Sequence, residues 1–243
     1  MTKSMTLVIP CYNEEKRLDL ETFKAFIYQQ KSVRFLFVND GSKDNTLNVL
    51  KSFAQGNDQV EILDMPQNGG KAEAVRCGML KALENNSDYI GFWDADLATP
   101  LDQLELFQIY LNKNAQIIMG SRINKLGSHV HRSHLRHYLG RIFATCASMI
   151  LKMAVYDTQC GAKLFRRDIV ESAFSEKFQS YWIFDVEILA RLKYLNKLDV
   201  NTIYEVPLNK WRDVGGSKVR PFDFVKAPLE LMAIYAKYKK NGY

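Results

Sequence analysis

Two aspartates stand one residue apart at Asp94 and Asp96, directly after the apolar run Tyr89-Ile90-Gly91-Phe92-Trp93. That run follows Glu84-Asn85-Asn86-Ser87-Asp88 and reads as a short buried strand bounded by turn formers. Side chains at i and i+2 share a face while the backbone stays extended, so the two carboxylates are brought close together. Like charges at that distance are costly unless a cation lies between them. Hard oxygen ligands suit Mg²⁺ or Mn²⁺, which in turn hold phosphate oxygens. Asp-x-Asp is also a common solvated turn, so the pair gains meaning from what the chain sets beside it.

The elements that must do this are legible in order. Thr6-Leu7-Val8-Ile9 is a β-branched apolar run that halts at Pro10 and leads into Cys11-Tyr12-Asn13-Glu14. A helical pattern then runs to about residue 30, and a second strand over 33–38 ends at Asn39-Asp40-Gly41-Ser42. Asp44 is a fitting N-cap for a helix through 53. A third strand over 60–63, the turn Asn68-Gly69-Gly70-Lys71, helices over 72–83 and 100–111, and a strand over 116–119 complete the alternation. Alternating strands and helices over residues 5–121 predict an α/β fold with a doubly wound, mostly parallel sheet. Ligands of such sheets bind beyond the carboxyl ends of the strands, where Tyr12, Asn13, Glu14, Asp40, Asp94 and Asp96 all fall. No Gly-x-Gly-x-x-Gly follows the first strand, and residues 68–72 lack the P-loop spacing, which argues against a NAD-dependent dehydrogenase and a P-loop ATPase.

The 243 residues are 47% hydrophobic and 25% charged, enough apolar material for the core of a single domain over 1–243. The four cysteines, Cys11, Cys77, Cys146 and Cys160, form no Cys-x-x-Cys, so reduced thiols in a cytoplasmic protein are expected. The start runs straight into a strand without a signal peptide, and no stretch reaches the roughly 20 apolar residues of a spanning helix. Charge is uneven. Residues 122–167 carry nine Lys or Arg against Asp157 alone, so this segment is +8 in a chain of net +6, and the remainder is about −2. That asymmetry points to a localised anionic partner.

The same segment predicts one long helix over 131–153, with Arg132, Arg136, His137 and Arg141 on related faces. Its apolar stretch over 142–151 suits a helix lying in a membrane interface, or a core element with a solvated basic face. His131, His134 and His137 could ligate zinc, but neighbouring cations oppose a metal there. No aromatic residues interleave the basic ones as nucleic-acid stacking requires, so no nucleic-acid partner is expected.

Pro10-Cys11-Tyr12-Asn13-Glu14, Val38-Asn39-Asp40-Gly41-Ser42, Asp94-Ala95-Asp96 and Gly120-Ser121-Arg122 resemble the inverting glycosyltransferases of family 2. Residues 157–165, Asp-Thr-Gln-Cys-Gly-Ala-Lys-Leu-Phe, and 211–218, Trp-Arg-Asp-Val-Gly-Gly-Ser-Lys, are similar to its polyprenyl-phosphate sugar synthases, above all the dolichyl-phosphate glucosyltransferase branch. The resemblance implies a nucleotide-diphospho-sugar transferase fold, GT-A-like, with a nucleotide-sugar half over 1–121 and an acceptor half over 122–243. It implies donor contacts from Pro10, Tyr12, Glu14, Asp40 and Lys71, and Asp94 and Asp96 on a Mg²⁺ or Mn²⁺ cofactor at the diphosphate. Arg122, Arg136 and Arg141 are the candidates for an acceptor phosphate, Asp185 for a catalytic or orienting carboxylate, and Lys218 for leaving-group charge. Cys160 reads as packing.

Ala98-Thr99 stands where mannosyl relatives carry Gln, which looks like the glucosyl branch and favours UDP-glucose over GDP-mannose as donor. The expected partners are this donor, a polyprenyl-phosphate or other lipid acceptor, and a membrane surface. The expected location is cytoplasmic, peripheral at the inner face of the cell membrane. Transfer to a hydroxyl of a glycan or lipid, polyprenyl-phosphate mannose synthesis, and a catalytically silent binding protein stay open beside this reading.

Overall fold

The computed structural model describes residues 3–131, 134–214 and 221–239, with backbone alone for 131, 134–137 and 221–225. Seven strands form one sheet: β1 (Met5–Cys11), β2 (Val33–Asp40), β3 (Val60–Met65), β4 (Tyr89–Trp93), β5 (Ile117–Ser121), β7 (Ala162–Arg166) and β8 (Ile203–Pro207). A two-stranded ribbon pairs β6 (His129–His131) with β9 (Lys210–Arg212) in parallel. The main order is β3-β2-β1-β4-β7-β5-β8. Parallel registers run from Met5 against Val33 to Cys11 against Asn39, and from Met5 against Tyr89 to Val8 against Phe92. The chain winds outward from β1 through β2 to β3 on one side and starts again at β4 on the other. The switch point, where such folds open a crevice, therefore lies between the carboxyl ends of β1 and β4.

The central strands are buried on both faces, which is why they read as near-continuous apolar runs. Val8, Leu36, Val38, Ile90 and Phe92 enter one core, and Leu7, Ile9, Phe35, Phe37, Tyr89 and Trp93 the other. Helices α1 (Leu20–Gln29), α2 (Thr46–Ala54), α3 (Lys71–Lys81), α6 (Arg167–Phe174), α7 (Phe184–Tyr194) and the short α4 (Gln108–Asn112) flank the sheet with α5 (His134–Leu151) and α8 (Pro221–Lys239).

Three local expectations change. Residues 101–107 form a 3₁₀ helix before α4, so the segment after Pro100 is α-helical only in its last turn. The basic helix is described over His134–Leu151, and residue 131, expected at its start, belongs to β6. The α2 helix begins past Asp44, whose carboxylate nonetheless accepts the Thr46 N–H at 3.0 Å. One larger difference matters for the site. β5 does not pair with β4, because β7 slots between them antiparallel to both, with Phe92 opposite Lys163 and Met119 opposite Lys163 on the other side. The motif over 157–165 thus enters the middle of the sheet and its preceding turn lands beside Asp94.

Candidate active site

At the switch point lies a cavity of about 580 Å³, lined by Pro10 from β1, by Tyr12 and Glu14 from the loop after it, by Asp40 from β2, and by Asp94 and Asp96 after β4. The two carboxylates each face a cation. Lys71 Nζ sits 2.5 Å from Asp94 Oδ1. Arg17 Nη2 is 3.6 Å from Asp96 Oδ2, and its Nε is 3.5 Å from Glu14 Oε2. Burial, then the Asp94 charge, push the Asp96 carboxyl above its ordinary value, only partly offset by the Ala98 N–H. Burial pulls the Lys71 ammonium down, yet Asp94, Asp185 and Asp96 outweigh it and hold it above the usual lysine value.

Asp40 is almost fully buried and organises the loop that delivers Lys71. Its carboxylate accepts the N–H groups of Gly69 at 2.7 Å and Gly70 at 3.0 Å, and the Asn68 side-chain amide at 2.9 Å. Gly41, at φ +60°, lets that loop approach: a Cβ there would lie 2.5 Å from Asn68 N. The loop ends at the N-terminus of α3, whose free N–H groups and dipole favour an anion. A base contact by Asp40 would share a carboxylate that already holds this loop.

The other side of the cavity is built by β5, β7, α5 and α7 and the turns beside them. Arg122 donates to both oxygens of Asp157, at 2.7 Å each from Nε and Nη2, and lies over the Trp211 ring. Burial opposes the Arg122 charge, but Asp157 holds it well above the ordinary arginine value. Glu205 on β8 accepts the N–H groups of Tyr156 and Asp157 and so fixes this turn. Arg141 on α5 donates to the Tyr156 carbonyl at 3.0 Å with its guanidinium 3.6 Å from that ring's centroid. Asp185, at the start of α7, is buried against Lys163, 2.5 Å away, and burial raises its carboxyl despite that partner. Gly161 packs on the Asp94 carboxylate, and its carbonyl accepts the Asp94 N–H at 3.1 Å.

The cavity thus gathers Pro10, Tyr12, Glu14, Asp40, Lys71, Asp94, Asp96, Arg122, Arg141 and Asp185. Lys218 and the side chains of Arg136, His134 and His137 fall outside the described residues, as does that of His131. Among described residues, no cluster of three or more His, Cys, Asp or Glu could hold a metal. Much of the basic segment is engaged within the protein: Lys163 is buried on Asp185, Arg167 donates to the carbonyls of Leu83 and Asn85, and Arg166 pairs with Asp168 at the surface. Sequence reasoning passed over Arg17, Tyr156 and Glu205. Arg17 carried a signal, three residues after Glu14 in the loop leaving β1; Glu205 carried none.

A model of the glycosyl transferase family 2 domain matches residues 6–174. The chain belongs to that family, in its dolichyl-phosphate β-glucosyltransferase-like branch. This family 2 glycosyltransferase is 32% identical over 260 residues to the human dolichyl-phosphate beta-glucosyltransferase, covering 100% of this chain and 78% of that one. It is 32% identical to one from Trichomonas vaginalis (98% and 72% covered) and 31% identical to that of Saccharomyces cerevisiae (98% and 76%). Among solved structures, the family 2 fold matches glucosyl-3-phosphoglycerate synthase from Mycobacterium tuberculosis in complex with UDP, with TM-score 0.67, 17% identity, and 96% and 80% of the two chains covered. The same enzyme in complex with Mn²⁺ and UDP-glucose gives 0.66 at 15% identity, covering 97% and 79%. The shared architecture is the GT-A fold with its mostly parallel sheet.

Proposed function

We propose that this glycosyltransferase moves glucose, with inversion, from UDP-glucose to a polyprenyl phosphate of the dolichyl type. One observation carries the reading: a single cavity runs from the carboxylates Asp94 and Asp96 to Arg141 and an aromatic wall of Phe143, Tyr181 and Trp182. The acidic end suits a metal-bound diphosphate, the guanidinium a phosphate, and the wall the first isoprene units, which a sugar hydroxyl acceptor would not need. The names of the relatives point the same way.

Two carboxylates are the ligand set that Mg²⁺ or Mn²⁺ uses when substrate phosphates and water complete its shell, so the residues fit a diphosphate-dependent metal. When bound, the ion supplies charge stabilisation for the departing nucleotide diphosphate. Lys71, set by the Asp40-held loop, adds a second cation there. Arg141 orients the acceptor phosphate, whose oxygen is already ionised at neutral pH and needs little proton removal before in-line attack. Asp185 stays fixed by Lys163 and shapes the floor.

No described helix is long and apolar enough to cross a membrane. Tyr138, Ile142, Cys146 and Met149 form an exposed stripe along α5, opposite the buried Ala144, Ala147 and Leu151. This exposed stripe, on the helix that carries the chain's basic segment, supports peripheral attachment to a bilayer surface. A second reading, transfer to a hydroxyl, is favoured by Asp185, whose raised carboxyl suits a general base.

Purified protein incubated with Mn²⁺, labelled UDP-glucose and a polyprenyl phosphate in detergent should yield a lipid-extractable glucosyl phosphate. Product only from GDP-mannose would move the chain to mannosyl transfer. Better transfer to a glycan or lipid hydroxyl would establish the second reading, and donor binding without any turnover a silent binding protein.

A further inference from the structure

The loop leaving β1 folds back on itself, with the N–H groups of Arg17 and Leu18 donating to the Glu14 carbonyl at 2.9 and 3.0 Å. This turn points Arg17 into the cavity, where its guanidinium reaches Glu14 and Asp96. Glu14 is itself anchored, since its N–H donates to Thr46 Oγ1 at 2.8 Å. Arg17 is therefore held from a rigid base but stays about one-third exposed, and its 3.6 Å approach to Asp96 is loose. Lys71 takes the other carboxylate at 2.5 Å. With Glu14, which shares Arg17, the site without ligands is thus a cluster of three carboxylates and two cations, net one negative charge.

A divalent cation seated on Asp94 and Asp96 brings the same two positive charges that Arg17 and Lys71 already supply. All of them together would leave Asp94, Asp96 and Glu14 with a surplus of one positive charge in a half-buried site, which is unfavourable. A nucleoside diphosphate removes that surplus, and a guanidinium grips phosphate oxygens bidentately. We infer that Arg17 is a further donor-binding residue: it neutralises Asp96 in the free protein and passes to the diphosphate when a divalent cation takes Asp96. Metal and nucleotide then bind with positive coupling, part of it carried by this one side chain. The inference rests on the proposed donor chemistry.

The test is Mn²⁺ binding without nucleotide, by electron paramagnetic resonance, and UDP binding in excess Mn²⁺, by calorimetry. Both are done on wild type, Arg17→Gln and Arg17→Lys, with thermal melts confirming folding. Arg17→Gln should bind Mn²⁺ alone several-fold more tightly and UDP with Mn²⁺ about tenfold more weakly, a size ordinary for coupled sites. Arg17→Lys should lie between. If wild type binds UDP with Mn²⁺ but Arg17→Gln does not show both opposite shifts, the inference is overturned and the donor reading stands. If wild type binds neither UDP nor Mn²⁺, the donor reading fails and takes the inference with it.

Discussion

Arg122 and Asp157 face each other across 35 residues of chain as a two-bonded pair, with both contacts at 2.7 Å and the Arg122 N–H donating to the same carboxylate at 3.0 Å. An arginine in the Gly-Ser-Arg motif is thereby tied to the first residue of the Asp-Thr-Gln-Cys-Gly motif. Both side chains are largely buried. Removing one partner of such a pair strands a charge, so Asp157→Asn should lower unfolding free energy by about 3 kcal/mol in urea titration. A drop below about 1 kcal/mol would mean that the pair is solvent-compensated and Arg122 free to serve a ligand.

Gly161→Ala should damage donor binding more than folding. A Cβ at 161 overlaps the Asp94 carboxylate, and that carboxylate has to turn away from Lys71 to make room. Strain of this kind costs roughly 1–3 kcal/mol in stability. Calorimetric UDP affinity in Mn²⁺ should fall by more than the melting shift alone predicts; unchanged affinity would show that Asp94 does not bind the donor.

Asp96→Asn separates stability from turnover. A carboxyl raised in the folded state, as Asp96 is by burial and by Asp94, favours folding while protonated and loses that contribution as pH rises through its folded value. At neutral pH its charge is a net cost, so the amide variant should melt no lower than wild type, with the difference vanishing in acid. Transfer should drop by at least about a hundredfold, since stabilisation of developing charge is lost. A clear fall in melting temperature at pH 7 would contradict the sign.

Arg141→Ala and the pair Ile142→Glu with Met149→Glu test two roles of one helix. Arg141 rests on the Tyr156 ring and lines the cavity, while Ile142 and Met149 are exposed. Arg141→Ala should raise the KM for polyprenyl phosphate about tenfold or more, the worth of a charge-assisted bond, with donor affinity unchanged. The double variant should instead lose flotation with anionic vesicles and keep transfer to a detergent-dispersed acceptor. Identical behaviour of the two variants would merge the roles.

How much was legible follows from the range of each interaction. The strands ending at Cys11, Asp40 and Trp93 announce themselves through apolar runs stopped by turn residues, and the crevice at their carboxyl ends follows from the alternation of elements. Tyr12, Glu14, Asp40, Asp94 and Asp96 could therefore be drawn together before any coordinates, because each sits within a few residues of a strand end; Pro10 and Lys71 joined them only through the resemblance to the family. Partner choice could not. The +8 segment reads as a basic surface, yet Lys163 spends its charge on Asp185, 22 residues on, and Arg122 on Asp157. Glu205, 48 residues from the turn it fixes, leaves no local trace. The insertion of β7 between β4 and β5 decided all of this, since a strand's neighbours are set by long-range packing and hydrogen bonding rather than by its own pattern. Sequence alone determined which carboxylates meet at the strand ends; the tertiary structure decided which cations meet them there.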